Sequence, residues 1–585
     1  MDSVRTRPGR RAGLLLLGAL MATLIALAGR LVQINVAQRP RLMARAQQQQ
    51  QSVVPLPARR GLVIDAMGRI LAGSALQQSV FADPQLVPDK HEAARVLSRV
   101  LGLPAVELGQ DLIAAGQRRF FVIQRGIEPS QADQLNRAAV PGLGTFEEPY
   151  RHYPLGSLAA AMLGFVSVDG VGLAGLEHQC DDWLRGEAGM KTIVRDAGRR
   201  AFWLAEEGYV PPRDGYHVVL TLDAVIQSAA ERELSAAIER FQAESGIAIV
   251  MEPATGAVLA LAHVPGFDPN HFRDYAAGSG WRFRPRAITD PFEPGSTFKP
   301  FIAAPALAEG LVRPGEMIDC EGGLWRDGKR LLHDHHPYSG LTFEEVLTKS
   351  SNIGMAKIGK RLGPQRMQAW LKKWGFGEKS GIDLVGEDAG IVPPRHRWTS
   401  FTTTSVPMGQ ELAVTPMQLC RAFCAFANGG KLVRPYFVRA VLASDGSVVQ
   451  EFGPQPGREV LKPGTADWMK RHVLAAAVNS GTGTRAALAR YQVFGKTGTA
   501  QVPRIGGAGY VPDGYVGSFV GAAPLEEPRM VVLVSVRMPK RSIGYYGGTV
   551  AAPAAREILA AGLAYLGVPP ERDAPPRVAQ SAAVD

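Results

Sequence analysis

The pattern of apolar and polar residues begins with one long apolar stretch near the N-terminus. Ala12–Gly29 carries no charge and is rich in Leu and Ala, and Leu31–Val36 extends the stretch beyond Arg30. A helix of about 20 apolar residues spans the hydrocarbon core of a bilayer, and an arginine near the end of such a helix can reach the interface. The pattern therefore predicts a short tail at residues 1–11 and a transmembrane helix at residues 12–32.

The charges beside this stretch predict its orientation. Four arginines precede it, at Arg5, Arg7, Arg10 and Arg11. Basic residues favour the cytoplasmic side of a span, so we expect the tail in the cytoplasm, the helix in the inner (cytoplasmic) membrane and the remaining chain outside. Ala26-Leu27-Ala28 also has the small-x-small form of a signal-peptide cleavage site. An uncleaved anchor is favoured because the apolar stretch is longer than that of a usual signal peptide.

Residues 33–214 are predicted to form a separate domain, which we call the pedestal. Gln47–Gln51 is a polar run typical of a stalk, and from Val53 to Arg213 the chain is rich in Gly and Pro with short apolar runs. This composition indicates a β-rich or mixed domain. Pro211–Gly215 breaks the composition and marks the end of the pedestal.

Residues 215–568 begin with patterns of strand and helix. Tyr216–Leu222 alternates like a strand, and Asp223 is placed to cap an amphipathic helix that runs to about Glu244. The apolar runs Gly246–Met251 and Ala257–His263 are separated by a short turn sequence, which indicates a β-hairpin.

Later segments can complete a sheet with this hairpin. They are Val493–Val502, Tyr515–Ala523 and Met530–Met538, followed by a helical pattern at Ala551–Leu566. A largely helical stretch, from about Ser296 to Asn428, lies between the two sets of strands. We therefore predict an α+β domain, with an antiparallel sheet flanked by helices. Residues 569–585 are rich in Pro, Ala and charge and are predicted to be disordered.

Composition and charge exclude some functions. The 585 residues are enough for two or more domains. Lys and Arg number 65 against 54 Asp and Glu, which gives a net charge of +11. These basic residues are scattered and, beyond the N-terminus, form no run interleaved with aromatic residues. Nucleic-acid binding is therefore not predicted.

The cysteines give little support to a disulfide framework or a metal site. There are four, Cys180, Cys320, Cys420 and Cys424, which is too few for such a framework. Cys420 and Cys424 would share one face of a predicted helix, as half of a zinc site would require. No paired His or Cys lies near them, and small buried hydrophobic residues are the better interpretation. We predict no metal and no cofactor.

The first motif that carries chemistry is Ser296-Thr297-Phe298-Lys299, the only Ser-x-x-Lys in the chain. It follows a Glu-Pro-Gly turn and precedes an apolar run, which places Ser296 in the first turn of a helix and Lys299 one turn on. A serine hydroxyl needs a base to become nucleophilic, and a lysine whose pKa is lowered by burial can serve. Alone, the motif is better explained as a helix start with a solvated lysine.

The second motif, Ser350-Ser351-Asn352, begins 54 residues later. Thr342–Glu345 has a capping-box sequence that opens a short helix, and the motif falls at the break after that helix. A loop serine can relay a proton to a leaving group, and an amide can bind a substrate backbone. In isolation the motif is more typical of a turn.

The third motif, Lys496-Thr497-Gly498-Thr499, lies in a predicted strand. Gly498 leaves room for a substrate backbone, and Lys496 with the two threonine hydroxyls is suited to hold a carboxylate. A strand edge can also bind an extended peptide as an added strand. The ordered set of Ser-x-x-Lys, Ser-x-Asn and Lys-Thr-Gly is the one found in penicillin-binding proteins and serine β-lactamases.

The chain resembles the class B, monofunctional penicillin-binding proteins over nearly its whole length. Further similarity lies at Arg60–Asp65 with Gly68, Arg151–Pro154, Gly175–Glu177, Gly409, Val414–Gln418 and Tyr545–Gly548. The resemblance implies a transpeptidase domain like that of serine β-lactamases, an elongated pedestal similar to the family's dimerisation domain, and one transmembrane helix.

The resemblance also implies catalytic roles. Ser296 would attack the carbonyl of the penultimate D-alanine in a D-Ala-D-Ala stem peptide, with Lys299 as the base. Ser350 would shuttle a proton, and Asn352 would position the substrate amide. An amine from a neighbouring stem peptide would then resolve the acyl-enzyme and form the cross-link.

Substrate binding follows from the same resemblance. Lys496, Thr497 and Thr499, on either side of Gly498, would bind the terminal carboxylate. The backbone N–H groups of Ser296 and Thr499 resemble an oxyanion hole. β-Lactams would acylate Ser296 as the substrate does.

The chain departs from the family pattern in three places. The family's Asp-Arg-Asn-Gly is Asp65-Ala66-Met67-Gly68 here, which puts the contacts of that hairpin in question. Glu252 stands at a hairpin position often held by Asp, and Ser351 stands where class A β-lactamases have an aspartate.

Other functions use the same three motifs. The pedestal and the anchor argue against a β-lactamase, the single apolar stretch argues against a β-lactam sensor, and the intact motifs argue against a catalytically silent scaffold of division. Only the resemblance separates a transpeptidase from a D,D-carboxypeptidase. It also implies a SEDS-type glycosyltransferase and other division-complex membrane proteins as partners. The motif spacings of 54 and 146 residues favour the septal over the elongation type.

Overall fold

The structure of the chain, a computed structural model, describes residues 9–39, 41–43, 51–118, 120–195, 201–275, 278–504, 506 and 509–571. The chain divides into two units. One combines Met1–Ala58 with Glu187–Arg213, and the other combines Arg59–Gly186 with Asp214–Asp585. Most of the predicted disordered tail, and most of the polar run Gln47–Gln51, lie outside the described residues.

The first unit contains the N-terminal apolar helix and a small sheet. The helix spans Gly9–Val32 and continues as the π-helical turn Gln33–Ala37. Its segment Ala12–Val36 is long and apolar enough to cross a membrane, which confirms the predicted helix. The antiparallel sheet has three strands, Gln51–Leu56, Gly189–Arg195 and Ala201–Val210, in that order.

A seven-stranded sheet opens the second unit. Four strands come from the predicted pedestal: Val63–Ile64, Ile70–Ala82, Phe121–Ile127 and Leu143–His152. Three follow residue 214: His217–Leu220, Val438–Leu442 and Val448–Glu451. Val63–Ile64 and His217–Leu220 pair in parallel, which ties the pedestal to the next region through backbone hydrogen bonds. An apolar cluster joins this sheet to the helices Lys90–Leu101, Ala105–Ala114 and Pro129–Ala138.

A buried cluster of charges brings together three of the segments that carry the family resemblance. Glu177 accepts Arg60 Nε and Arg151 Nε, each at 2.6 Å, and the Tyr153 hydroxyl at 3.3 Å. Arg60 Nη1 also lies 2.5 Å from Asp181 Oδ1. Removing one partner of a buried ion pair leaves the other charge unpaired. Loss of either partner in this cluster should therefore lower the free energy of unfolding by about 3–5 kcal/mol.

The hairpin at Asp65–Gly68, whose sequence departs from the family pattern, has a turn that Asp65 stabilises. This carboxylate is fully buried and accepts Met67 N at 2.9 Å and Arg69 N at 2.8 Å. Arg69 Nη1 adds a salt bridge to Asp65 at 2.9 Å. Glu252, which stands at a hairpin position often held by Asp, also stabilises its own turn. Its Oε2 accepts a hydrogen bond from the Thr255 hydroxyl at 2.5 Å.

The second sheet of this unit has five antiparallel strands. Their spatial order is Val258–Val264, Ser245–Met251, Met530–Arg537, Tyr510–Ala523 and Phe494–Pro503. The prediction that strands from both ends of the region form one antiparallel sheet is confirmed. Helices Ala224–Arg240 and Ala552–Tyr565 cover one face, and the helical region covers the other. Val258–Val264 and Phe494–Pro503 lie at the two edges of the sheet, and we call Phe494–Pro503 the edge strand.

The region between the two sets of strands is less helical than predicted. Its longer helices are Pro300–Ala308, Phe343–Thr348, Asn352–Lys373 and Pro416–Ala427. Two antiparallel strand pairs interrupt them: Met317–Asp319 with Gly340–Thr342, and Leu324–Asp327 with Arg330–His333. Gly328 turns the second pair with a φ of 61°, a left-handed conformation that favours glycine.

Shorter elements complete the described part of the second unit. The strand pair is Lys431–Leu432 with Arg458–Glu459. The α- and π-helical segments are Ala160–Leu163, Gly175–Gln179, Asp181–Leu184, Arg286–Thr289, Thr402–Ser405, Pro463–Trp468, Met469–Leu474, Ala475–Asn479 and Gly547–Val550. The 3-10 turns are Pro269–Asp274, Ser279–Phe283, Gly295–Phe298, Glu321–Gly323, Arg395–Arg397, Val406–Met408 and Thr484–Ala486.

Candidate active site

A cavity of about 600 Å³ opens between the edge strand and the helical region. Its lining includes residues from all three motifs: Ser296, Ser350, Asn352, Thr497, Gly498 and Thr499. Lys299 and Lys496 lie beneath this lining as fully buried side chains. The structure therefore brings together all eight residues that the sequence singled out.

Ser296 lies in a tight turn whose neighbours hold it in place. Gly295–Phe298 is a 3-10 turn that leads into the helix Pro300–Ala308, and Phe298 is fully buried. A Cβ on Gly409 would come within 2.2 Å of Gly295 O, so the two backbones pack too closely for a side chain. Ser296 itself stays partly exposed. No described residue forms a hydrogen bond with its Oγ.

Lys299 is held by the second motif. Its Nζ donates to Ser350 O at 2.6 Å, to Asn352 Oδ1 at 2.9 Å and to Ser350 Oγ at 3.1 Å. Burial lowers the pKa of Lys299 to about 7, and the charge of Asp334 opposes this shift only in part. A lysine with this pKa is partly deprotonated at neutral pH and can accept a proton.

Two lysines meet at the hydroxyl of Ser350. Lys496 Nζ donates to Ser350 Oγ at 3.0 Å and to Thr497 O at 3.0 Å, so this hydroxyl lies between Lys496 and Lys299. Burial lowers the pKa of Lys496 well below its usual value, and the nearby charge of Lys299 adds to the effect. Ser350 lies at the break between the helices Phe343–Thr348 and Asn352–Lys373, where it adopts a left-handed φ of 59°. This conformation places its hydroxyl between the two lysines.

Gly498 is required by packing, which the sequence analysis did not anticipate. A Cβ at this position would come within 2.7 Å of Thr297 Cγ2 and 2.8 Å of Ser518 Oγ. The glycine therefore lets the edge strand lie directly against the turn that carries Ser296. The flanking hydroxyls have partners: Thr497 Oγ1 lies 2.6 Å from Thr482 Oγ1, and Thr499 Oγ1 accepts Gly547 N at 3.1 Å.

The outer edge of this strand is open. Within the described part of the chain, Phe494–Pro503 pairs with Tyr510–Ala523 only. An extended peptide can add to such an edge through backbone hydrogen bonds. The geometry fits the expectation that a peptide lies along the strand, past Ser296.

Sequence analysis missed Asp334. Its Oδ1 accepts Asn352 N at 2.5 Å and Ile353 N at 3.0 Å, and its Oδ2 accepts the Ser351 hydroxyl at 2.5 Å. The carboxylate thus fixes the loop whose Ser350 and Asn352 hold Lys299. Asp334 follows the strand Arg330–His333, which lies in the stretch predicted to be helical, so no pattern in the sequence placed it beside the second motif.

We expect Asp334→Asn to slow acylation by a fluorescent penicillin about fivefold, because hydrogen bonds to a charged group are about 1 kcal/mol stronger than neutral ones. The midpoint of the pH dependence should also move below about 7, since the Asp334 charge raises the pKa of Lys299. Labelling rates measured across pH test both. Asp445→Asn, in an exposed turn, is the control. An unchanged midpoint would contradict this coupling.

The four cysteines are free and buried. Burial raises the pKa of Cys424 to about 12, which keeps its thiol protonated and unsuited to bind metal. Among the described residues, no group of three or more His, Cys, Asp or Glu side chains is placed to hold a metal ion.

Family models match both parts of the chain. Residues 246–560 match the penicillin binding protein transpeptidase domain, and residues 55–220 match the penicillin-binding protein dimerisation domain. The chain belongs to the penicillin-binding proteins, as a transpeptidase of class B.

Named relatives and solved structures resemble the chain over most of its length. The probable peptidoglycan D,D-transpeptidase PbpC of Pseudomonas aeruginosa is 32% identical over 548 residues, which cover 94% of each chain. The peptidoglycan D,D-transpeptidase FtsI of Escherichia coli is 30% identical over 562 residues, covering 95% of this chain and 92% of the relative. Penicillin binding protein 3 from Mycobacterium tuberculosis, complexed with aztreonam, aligns with a TM-score of 0.69 at 29% identity, covering 89% of this chain and 98% of that one.

Proposed function

We propose that this protein is a serine-type D,D-transpeptidase that cross-links peptidoglycan through an acyl-enzyme on Ser296, and that penicillins inactivate it. The observation that carries the proposal is the meeting of Lys299 and Lys496 at Ser350, inside the cavity that Ser296 lines. A buried amine with a pKa of about 7 is matched to removing a proton near neutral pH.

In the acylation step, Ser296 Oγ attacks the carbonyl carbon of the penultimate D-alanine. Its proton passes to the neutral amine of Lys299. The C–N bond to the terminal D-alanine breaks, and the leaving amine receives a proton through Ser350, which contacts both lysines. An ester to Ser296 remains. Asn352 is proposed to position the substrate amide.

The edge strand is proposed to bind the substrate. The terminal carboxylate of the substrate is assigned to Lys496, Thr497 and Thr499, which lie on either side of Gly498. Burial lowers the pKa of Lys496, and a bound carboxylate would raise it again, since an opposite charge favours the charged form. The upstream part of the peptide then extends along the strand towards Gln501.

The acyl-enzyme should react with an amine in preference to water. The purified protein, given a thioester mimic of the stem peptide and a D-amino acid, should form mainly the aminolysis product, measured by mass spectrometry. Ser296→Ala should form neither product. Free acid as the main product, even at high acceptor concentration, would favour the D,D-carboxypeptidase alternative. Rapid turnover of penicillin would favour a β-lactamase.

Orientation and partners extend the proposal. The arginines before the apolar helix support a single-pass protein of the inner membrane, with a cytoplasmic N-terminus and an extracytoplasmic catalytic domain. A reporter that works only outside the cytoplasm, fused after Asp585, should be active.

A SEDS-type glycosyltransferase of the division complex is proposed as a partner. The spacings of 54 and 146 residues between the motifs, which favour the septal type, and the similarity to FtsI support this proposal. Failure to co-purify with any such glycosyltransferase would count against this assignment.

A further inference from the structure

The carboxylate of Glu293, three residues before Ser296, joins three separate segments of the chain. Its Oε1 accepts the backbone N–H of Glu411 at 3.1 Å, and its Oε2 accepts the hydroxyl of Tyr510 at 3.0 Å. Glu411 lies in the loop that also hydrogen-bonds to the turn of Ser296. Tyr510 begins the strand Tyr510–Ala523, which pairs with the edge strand. One side chain thus connects the turn, the loop and the strand hairpin.

The backbone on both sides of Glu293 is fixed. Phe292 exchanges two backbone hydrogen bonds with Val414, each at 3.0 Å. On the other side, the carbonyl of Pro294 accepts the hydroxyl of Thr297 at 2.7 Å. The carboxylate of Glu293 therefore projects from a rigid base and can hold the groups that it contacts.

The contact between Glu293 and Tyr510 joins a charged acceptor to a donor that keeps its proton. Burial raises the pKa of Glu293, and the hydrogen bonds from Tyr510 and Glu411 oppose this shift, although the charge of Glu411 adds to it. Burial and the charge of Glu293 raise the pKa of Tyr510 to about 12. In the stretches of chain that the structure describes, no lysine, arginine or histidine forms a salt bridge with Glu293. Its charge is therefore stabilised by these two hydrogen bonds.

The end of the edge strand is weakly fixed by its own backbone pairing. Pro503 pairs with Tyr510, and the register shifts between Gln501 and Pro503. Such a shift bends a strand, and proline has no N–H to donate. Arg504 Nε donates to Tyr510 O at 2.9 Å, which closes the hairpin on itself but does not join it to the turn of Ser296. The hydroxyl of Tyr510 makes that connection.

We propose that Glu293 is a positioning residue, which holds the end of the edge strand against the turn of Ser296 through the hydroxyl of Tyr510. Nearer its start, the strand meets the same turn at Gly498, where a Cβ would come within 2.7 Å of Thr297 Cγ2. Two contacts on one strand fix its direction relative to Ser296. The proposal rests on the proposed function, in which the substrate lies along this strand. Because a misplacement of about 1 Å can slow a reaction about 10²-fold, this direction should matter for acylation.

Tyr510→Phe tests the proposal because it removes one hydroxyl and keeps the ring. Stopped-flow labelling of the full-length protein by a fluorescent penicillin gives the limiting acylation rate and the dissociation constant of the complex that precedes acylation. We expect the limiting rate to fall about tenfold, since a hydrogen bond to a charged group is lost. The dissociation constant should stay unchanged. Tyr216→Phe, which removes a hydroxyl from a 42% exposed side chain, should behave like the wild-type protein.

A double-mutant cycle separates this contact from two independent effects. Glu293→Met keeps the length of the side chain but loses both acceptor oxygens, so it should slow acylation at least as much as Tyr510→Phe. The double variant should be no slower than Glu293→Met alone, because both substitutions break the same contact. Thermal unfolding checks that the variants fold. If Glu293→Met does not fold, the limiting rate of Tyr510→Phe decides alone.

Three results would overturn the positioning role of Glu293. They are a wild-type limiting rate in Tyr510→Phe, an increase in the dissociation constant without a change in that rate, and single-variant effects that multiply in the double variant. Wild-type protein that penicillin does not label would instead defeat the proposed function itself. A labelled wild-type protein with an unaffected Tyr510→Phe variant would defeat only the contact between Glu293 and Tyr510.

Discussion

Replacing Ser296 by alanine should abolish covalent labelling by a fluorescent penicillin. The ester to penicillin needs an oxygen at this position, and the substitution removes that oxygen alone. The fold should persist because no described residue hydrogen-bonds to Ser296 Oγ, while the buried neighbours Thr297 and Phe298 remain. Gel fluorescence and intact-protein mass spectrometry measure the adduct, and thermal unfolding checks the fold.

A matched serine controls for this experiment. Ser447 lies in an exposed turn, and Ser447→Ala should be labelled like the wild-type protein. Labelling of the Ser296→Ala variant at another residue would show that a different side chain is the nucleophile. The proposed mechanism would then be wrong at its first step.

Replacing Lys299 by methionine should slow acylation about 10²- to 10⁴-fold, which is the usual contribution of a general base. Methionine preserves much of the buried volume but cannot accept the proton of Ser296. In the wild-type protein the acylation rate should rise with pH through about 7, because the neutral amine is the active form and the pKa of Lys299 is about 7. Labelling rates across pH measure both effects.

The pH midpoint of acylation reports two coupled lysines. Lys299 and Lys496 share Ser350 Oγ, so the midpoint belongs to the pair. Lys379→Met, at an exposed position, is the control for loss of a lysine. If the Lys299→Met variant keeps the wild-type acylation rate and the wild-type pH midpoint, another group must be the base.

The sheet and the grouping of the three motifs were predictable because each rests on a local pattern. Alternating or apolar runs indicated the strands, and the capping sequence at Thr342 located the start of the short helix that precedes the second motif. The ordered motifs then implied proximity through the family resemblance. None of these inferences required the partner of a side chain to be known in advance.

What escaped prediction depends on contacts between distant segments. Asp334 reaches Ser351 only because a short strand pair interrupts the helical region. Gly498 is needed because the edge strand packs against Thr297, a neighbour 201 positions earlier in the chain. Arg286 is buried against Trp281 and Val264 by the path of an irregular segment. Periodicity carries no information about such pairings.

The pair of buried lysines has a consequence for the thermodynamics of folding. Each lysine is readily hydrated and charged in the unfolded chain, whereas burial disfavours the charged form in the folded protein. Between about pH 7 and the usual lysine value of about 10.4, the unfolded chain holds a proton that folded Lys299 does not, so stability rises with pH across this interval. An apolar replacement of Lys299 should therefore weaken this rise in melting temperature with pH, as well as remove activity.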